Sequence, residues 1–250
     1  MRVGDSVRKG VDVQILKHWG DFNGGLYFLG KYAHVLAGIA WIGLLYFFNF
    51  VQVPAYAELS AGARTEAFDK VTWRALWWFR MAAAATFATG ALMWAIAGKD
   101  FKGPALLSIA WGSILGTTMF LNVWGVIWVN QKINITSLRT EGKPNPDAAK
   151  KAARASRANA LFSIPMLFFM LFTQHYAPFY KDVSGGKLAA VWIIFLVLWA
   201  FIEASALGFI GGLDSAFNKL AFDKHRNTII AGAVYWLILL LVCWEAIIGS

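Results

Sequence analysis

Cysteine is almost absent from this sequence, in which Cys243 is the single cysteine among 250 residues. One cysteine excludes a disulfide within the chain, a cysteine zinc cluster and a covalent haem site of the Cys-x-x-Cys-His type. Motifs that bind phosphate groups or dinucleotides are also missing, as is any recognisable pairing of a nucleophile with a base. The sequence therefore excludes several common classes of enzyme.

Charged residues are scarce as well, at 15%, whereas hydrophobic residues reach 58% and include 13 Trp and 20 Phe. This composition is typical of a membrane protein. The net charge of +9 comes from basic residues between apolar runs, which favours a topology signal and contact with anionic lipid over nucleic acid as a partner. The first 25 residues are polar and mixed, so we expect no cleavable signal peptide.

Six apolar runs, each near the roughly 20 residues that a bilayer requires, predict an all-α polytopic membrane protein with six transmembrane helices in one bundle. The predicted helices cover residues 26–56, 73–97, 104–129, 160–176, 188–210 and 228–248. Residues 1–25 are predicted to form a polar amino-terminal segment, and residues 26–250 a single transmembrane domain. The strongly helix-forming run 147–157 is expected to extend the fourth helix beyond the bilayer.

Lysine and arginine are divided unequally between the two sides of this predicted bundle. The side that holds the amino terminus carries 9 of them, and the other side carries 14. Because positive residues concentrate on the cytoplasmic side, the second side is predicted to be cytoplasmic. The protein is then expected to span a bacterial inner membrane with both termini in the periplasm.

One face of the first predicted helix carries nearly all of its polar atoms. From His34, helical spacing places Gly38, Trp41, Asn49 and Gln52 on the same face. Polar side chains are costly in lipid, so we predict that this face points into the protein. Gly38 would allow a large flat group or a second helix to approach closely.

Two histidines, His34 and His175, lie inside apolar spans, and the predicted topology places both in the outer leaflet. Two neutral imidazoles on facing helices can serve as the axial metal ligands of a b-type haem, for which no cysteine is needed. Gly38 and Trp41 are the predicted cofactor-binding residues beside them. Alternatively, each histidine hydrogen-bonds to a neighbouring helix, or His175 lies in the hydrated interface.

Glu203 lies within the fifth predicted helix, where a carboxylate must be protonated, paired or exposed to water. Arg80 in the second helix is its predicted partner, and the pair would form either a polar cavity or a structural link. Asn122, near Thr118 and Asn130, can hydrogen-bond to a polar ligand or hold helices together. Glu203, Arg80 and Asn122 are therefore the candidate catalytic residues.

The runs from His34 to Pro54 and from Ser163 to Tyr176 resemble the membrane domain of bacterial membrane-bound urate hydroxylases, the urate oxidase N-terminal family. The second run has the family's proline and His-Tyr pair at the two ends of one helix. The resemblance implies a redox enzyme of purine catabolism that oxidises urate. Members of that family typically end in a c-type cytochrome domain, whereas no Cys-x-x-Cys-His motif precedes Ser250.

The missing cytochrome motif leaves two alternatives open. A separate periplasmic cytochrome c accepts the electrons, or the chain is a subunit that binds haem b or another tetrapyrrole within a larger membrane complex. A third hypothesis is a transporter with Glu203 and Arg80 on its path, although no inverted repeat supports it.

Overall fold

The computed structural model describes residues 18–20, 24–181 and 183–250. Six helices in these ranges are long and apolar enough to cross a membrane, and no strand occurs in them. They are α1 (Gly25–Glu58), α2 (Ala61–Asp100), α3 (Gly103–Glu141), α4 (Pro146–His175), α5 (Gly185–Ala206) and α7 (His225–Ile248). A short helix, α6 (Ala216–Phe222), lies between the last two. The predicted all-α membrane fold is confirmed, while most of the predicted segment 1–25 lies outside the described residues.

Polar side chains mark the points where helices begin. The Ser60 hydroxyl accepts a hydrogen bond from the amide of Ala63 at the start of α2. Asn145 accepts one from the amide of Ala148, at 3.0 Å, at the start of α4. These caps satisfy amides that have no partner within the helix. As a result, α4 begins at Pro146 and includes the helix-forming run at 147–157.

The carboxyl end of α5 differs from its prediction, because the helix stops at Ala206 and not at residue 210. Gly208, Gly211 and Gly212 have φ angles of 85°, 68° and 74°. Residues with a side chain rarely adopt such angles, and a right-handed helix cannot continue through them. The three glycines therefore form the turn that leads to α6.

The central helix of the bundle is α4. Of its most apolar stretch, 67% is buried in the protein, compared with 22–28% for the corresponding stretches of α1, α2, α5 and α7. It packs mainly against α3 and α7 and touches α1 and α5, while α1 packs mainly against α2. Side chains that project from α4 therefore meet partners from several helices, which makes it the scaffold for buried polar groups.

The polar face of α1 points into the protein, as predicted. Trp41, Asn49 and Gln52 are buried, and His34 is half-buried. The Asn49 Nδ2 donates a hydrogen bond of 2.8 Å to the hydroxyl of Ser156 on α4. Hydrogen bonds of this kind fix the rotation of a helix relative to its neighbour.

Gly232 brings α7 close to the backbone of α4. A Cβ atom at this position would lie 2.7 Å from the Ile164 Cδ1 and 2.9 Å from the carbonyl oxygen of Leu161. Backbone oxygen cannot move aside as a flexible side chain can. The contact between these two helices therefore requires glycine at this position.

Gly232→Ala is expected to destabilise the protein by about 1–3 kcal/mol, the usual cost of forcing extra volume into a packed core. The shift is measured as the thermal unfolding midpoint of the purified protein in detergent. Gly125→Ala on α3 is the matched control, because nothing lies within 4 Å of its Cβ position and alanine favours helix more than glycine does. Equal shifts for the two variants would contradict the close α4–α7 contact.

Candidate functional site

Polar side chains from three helices meet between α3, α4 and α5. We call this cluster the polar centre, and it consists of Thr118, Asn122, Asn159, Trp199 and Glu203. Two of its members, Asn122 and Glu203, are candidate catalytic residues from the sequence. The structure therefore brings these two together.

Asn122 connects the other two helices of the polar centre. Its Nδ2 donates to the Asn159 Oδ1 at 3.0 Å and to the Glu203 Oε2 at 3.2 Å. The Asn159 Nδ2 in turn donates to the Met119 carbonyl at 2.9 Å. Both hydrogens of the Asn122 amide are thus used, which fixes its orientation. The Glu203 Oε1 accepts no hydrogen bond from a described residue, so it is available to a ligand or to water.

A second link lies about one turn along the same helices. The Trp199 Nε1 donates to the Thr118 hydroxyl at 3.0 Å, and that hydroxyl donates to the Ile114 carbonyl at 2.9 Å. Trp199 and Glu203 are four residues apart on α5, as are Thr118 and Asn122 on α3, so each pair shares a helix face. The polar centre therefore extends over two turns of α3 and α5.

Helix α3 changes its winding at the polar centre. Residues Asn122–Ile127 form a π-helical segment, in which hydrogen bonds span one residue more than in an α-helix. Such a segment repositions side chains relative to the rest of the helix, and α1, α2 and α7 contain π-helical segments as well. Asn122 is the first residue of this segment and contacts both α4 and α5 from it.

Arg80 does not pair with Glu203, and the predicted ion pair is wrong. Its guanidinium lies 3.3 Å from the centroid of a Trp128 ring and 5.5 Å from that of Trp124. Its Nε donates to the Leu76 carbonyl of its own helix. Arg80 meets the tryptophan face of α3, whereas Glu203 reaches α3 from α5. A catalytic role for Arg80 stays a prediction.

A double-mutant cycle tests this correction. Arg80→Met and Trp128→Leu are expected to couple by about 1–2 kcal/mol of unfolding free energy, because a cation–π contact is lost in either variant. Arg80→Met and Glu203→Gln are expected to add within about 0.5 kcal/mol. The free energies come from denaturant unfolding in mixed micelles. Coupling between Arg80 and Glu203 instead would restore the predicted pair.

His34 lies between α1 and α2, near their outer ends in the predicted topology. Its Nδ1 is 2.8 Å from the Thr86 carbonyl oxygen and 3.3 Å from the Thr89 hydroxyl. Because a carbonyl only accepts, Nδ1 carries the hydrogen and Nε2 keeps a free electron pair. Nε2 makes no hydrogen bond with a described residue. Histidines that bind metal are commonly held in this way.

His175 is exposed at the carboxyl end of α4. The adjacent Gln174 accepts a hydrogen bond from Lys31, which lies about one turn before His34 on α1. The two histidines therefore lie at the same end of the bundle, although whether they share one site stays a prediction. Gln174 is 15 residues beyond Asn159, or roughly 22 Å along α4 at 1.5 Å per residue, so this end is distinct from the polar centre.

A cavity of about 60 Å³ lies beside His34. Its lining residues come from α1 to α4 and from the connection between α2 and α3, and they comprise Tyr27, His34, Gly90, Met93, Trp94, Phe101, Ile109, Ser113 and Met170. Cofactor pockets usually measure about 300–1,000 Å³, so a porphyrin does not fit in this space. Neither Gly38 nor Trp41 lines it. Haem b between His34 and His175 therefore stays a prediction from sequence.

Asn159 and Trp199 belong to the polar centre but were not singled out from the sequence. Asn159 lies between the helix-forming run 147–157 and the predicted span 160–176. The expected extension of the fourth helix includes this position, but nothing in the sequence marks the Asn159 side chain as a partner of Asn122. Trp199 gave no signal, because tryptophan is common throughout this chain.

A known family model matches the part of the chain that contains most of these site residues. The family model described as urate oxidase N-terminal matches residues 78–246, which is more than half of the chain. Neither a curated protein nor a solved structure matches. The matched range contains the whole polar centre, Arg80 and His175, and begins after His34. The protein therefore belongs to the urate oxidase N-terminal family.

Proposed function

We propose that the protein is an inner-membrane redox enzyme of the urate hydroxylase type, which oxidises urate and passes the electrons to a separate cytochrome c. The observation that supports this proposal is the family match over residues 78–246. The polar centre lies wholly inside the matched range. It also contains a carboxylate with one free oxygen, which suits it to accept a proton from a bound substrate or from water.

The proposed reaction balances with water and an electron acceptor. Hydroxylation of urate takes the oxygen atom from water and releases two protons and two electrons. Cytochrome c accepts one electron at a time, so two molecules are reduced for each urate. A general base must lie within hydrogen-bond reach of the proton that it removes. The Glu203 Oε1 is the group assigned to that step, and Asn122 holds the carboxylate in place through Oε2.

The experiment that tests this proposal follows the reduction of added cytochrome c by the purified protein in detergent or lipid nanodiscs. Reduction is expected to depend on urate and on protein concentration, with two haems reduced per urate consumed. A folded preparation that reduces no cytochrome c in the presence of urate would overturn the proposal. Addition of xanthine in place of urate separates urate oxidation from general purine oxidation.

The same proposal includes the orientation of the chain. The distribution of basic residues supports a cytoplasmic location for the loops between α1 and α2, between α3 and α4, and between α5 and α7. Six spans return the chain to the side on which it started. Alkaline phosphatase fused after Ser250 is therefore expected to be active, and green fluorescent protein at the same position to be dark. The opposite pair of results would invert the topology and place the electron acceptor in the cytoplasm.

A second candidate function is a tetrapyrrole-binding, electron-transfer subunit of a larger membrane complex. The free Nε2 of His34 favours it, whereas the small cavity beside it does not. The optical spectrum of the purified, dithionite-reduced protein tests tetrapyrrole binding, and urate-dependent reduction of cytochrome c separates the candidates. A Soret band that is lost in His34→Ala, in a protein that reduces no cytochrome c with urate, would favour the subunit over the enzyme.

A further inference from the structure

Two methionines share the cavity beside His34. Met93 comes from α2 and Met170 from α4, and both line the same space of about 60 Å³. All three side chains are half-buried. The cavity thus holds an imidazole and two thioethers from three different helices, at the end of the bundle away from the polar centre.

Glycines allow these side chains to approach. A Cβ on Gly90 would lie 3.2 Å from the His34 Cε1, and a Cβ on Gly112 would lie 3.3 Å from the Met170 Sδ. Both distances are tighter than ordinary van der Waals contact. The imidazole and one of the sulfurs are therefore packed directly against helix backbone, which restricts their positions.

The orientation of His34 suits a metal ligand. The Nδ1–H donates to the Thr86 carbonyl oxygen, with 2.8 Å between the nitrogen and the oxygen, and this contact leaves the Nε2 electron pair free. On another wall of the cavity, the Trp94 Nε1 donates to the Ser113 hydroxyl at 2.8 Å. Both polar groups at that wall are thus already engaged with each other.

The donor set determines which ion it suits. Thioether sulfur is a soft ligand that selects Cu(I), and imidazole binds copper as well. No carboxylate is found among the described residues that line the cavity, which disfavours Mg²⁺, Ca²⁺ and Mn²⁺. Its volume suits a single ion and not an organic cofactor.

We propose that His34, Met93 and Met170 form a binding site for one Cu(I) ion. The three ligands are neutral, so the charge of the bound ion is not compensated, and this costs less for a monovalent ion such as Cu(I) than for a divalent one. Met170 is 11 residues beyond Asn159 on α4, so the site lies roughly 16 Å along this helix from the polar centre at 1.5 Å per residue. It is independent of urate oxidation and stands whether or not the chain has that activity.

The test is an anaerobic titration of the purified protein with Cu(I) in competition with bathocuproine disulfonate. One Cu(I) per chain is expected for the wild-type protein. His34→Ala, Met93→Leu and Met170→Leu are each expected to lower the affinity at least roughly tenfold, since even indirect changes to a metal site cost 10–100-fold. The leucine variants preserve volume and so are expected to fold.

Met166→Leu is the matched control, because Met166 is buried one turn before Met170 on α4 but does not line the cavity. It is expected to bind Cu(I) as the wild type does. The proposal is overturned if the folded wild type binds no stoichiometric Cu(I), or if it binds Zn²⁺ in preference to Cu(I). It is also overturned if the three cavity variants keep wild-type affinity, or if Met166→Leu loses as much affinity as they do.

Discussion

Glu203→Gln is expected to lower the rate of urate-dependent cytochrome c reduction by roughly 10²–10⁴-fold. That range is the usual contribution of a positioned general acid or base. Glutamine keeps the size of glutamate and still offers an oxygen to the Asn122 amide, which now lies 3.2 Å from the Glu203 Oε2. The variant therefore removes the proton acceptor and leaves the packing of α3 and α5 intact. A loss in the catalytic rate, with the urate concentration at half-maximal rate little changed, distinguishes this role from substrate binding.

Glu141→Gln is the control for this variant. Glu141 is exposed at the carboxyl end of α3, far along the helix from Asn122, and its carboxylate makes no hydrogen bond with a described residue. Its activity is expected to match that of the wild type. If Glu203→Gln were as active as Glu141→Gln, the polar centre would have no part in the chemistry.

Arg154→Ala is expected to destabilise the protein by about 3 kcal/mol. The buried guanidinium donates to the Leu213 and Asn218 carbonyls at 3.2 and 3.1 Å, and it pairs with Asp223 at 2.6 Å. Its removal leaves these carbonyls and one carboxylate without their donor, and buried groups of this kind cost about 1–3 kcal/mol each. Asp223 is half exposed, which reduces its share of the loss.

Lys150→Ala tests whether burial causes that effect. Lys150 also lies on α4 and reaches the same connection between α5 and α7, where it pairs with Asp214 at 2.6 Å. The hydrogen bond from Lys150 lowers the pKa of the Asp214 carboxyl, but both groups are exposed, and such pairs contribute less than about 1 kcal/mol. Thermal unfolding in detergent measures both variants. Equal losses would show that Arg154 does not organise this connection.

The spanning helices could be predicted from sequence because a bilayer imposes a minimum length on apolar runs. Their ends depended on features that hydropathy does not report. At Gly208 the chain adopts a φ of 85° and leaves the helix, although the residues on either side are apolar. Near Glu141 the opposite occurs, since α3 continues through polar residues that hydropathy assigned to a loop.

The polar centre could be predicted in part. Glu203 and Asn122 stood out because polar side chains are rare and costly within apolar spans. The partner of Glu203 could not be found in this way. The sequence indicates how deep a residue lies in the membrane, but it does not show how its helix is rotated and therefore which neighbouring helix the side chain faces. Arg80 is basic, Glu203 is acidic and both lie within membrane spans, yet Arg80 faces Trp128 and not Glu203. That rotation depends on helix packing and on the π-helical segment of α3, which the sequence does not reveal.

The central position of α4 has a consequence for biosynthesis. Helices α1 and α2, and likewise α3 and α4, are neighbours both in sequence and in contact, so each pair can assemble as a hairpin soon after it leaves the translocon. Helix α7 packs against α4 but is made last. Until it is inserted, the strip of α4 around Leu161 and Ile164 faces lipid. A chain whose synthesis stops after α5 would lack α7, so one face of its central helix would stay exposed to lipid. Membrane quality control can detect such a defect.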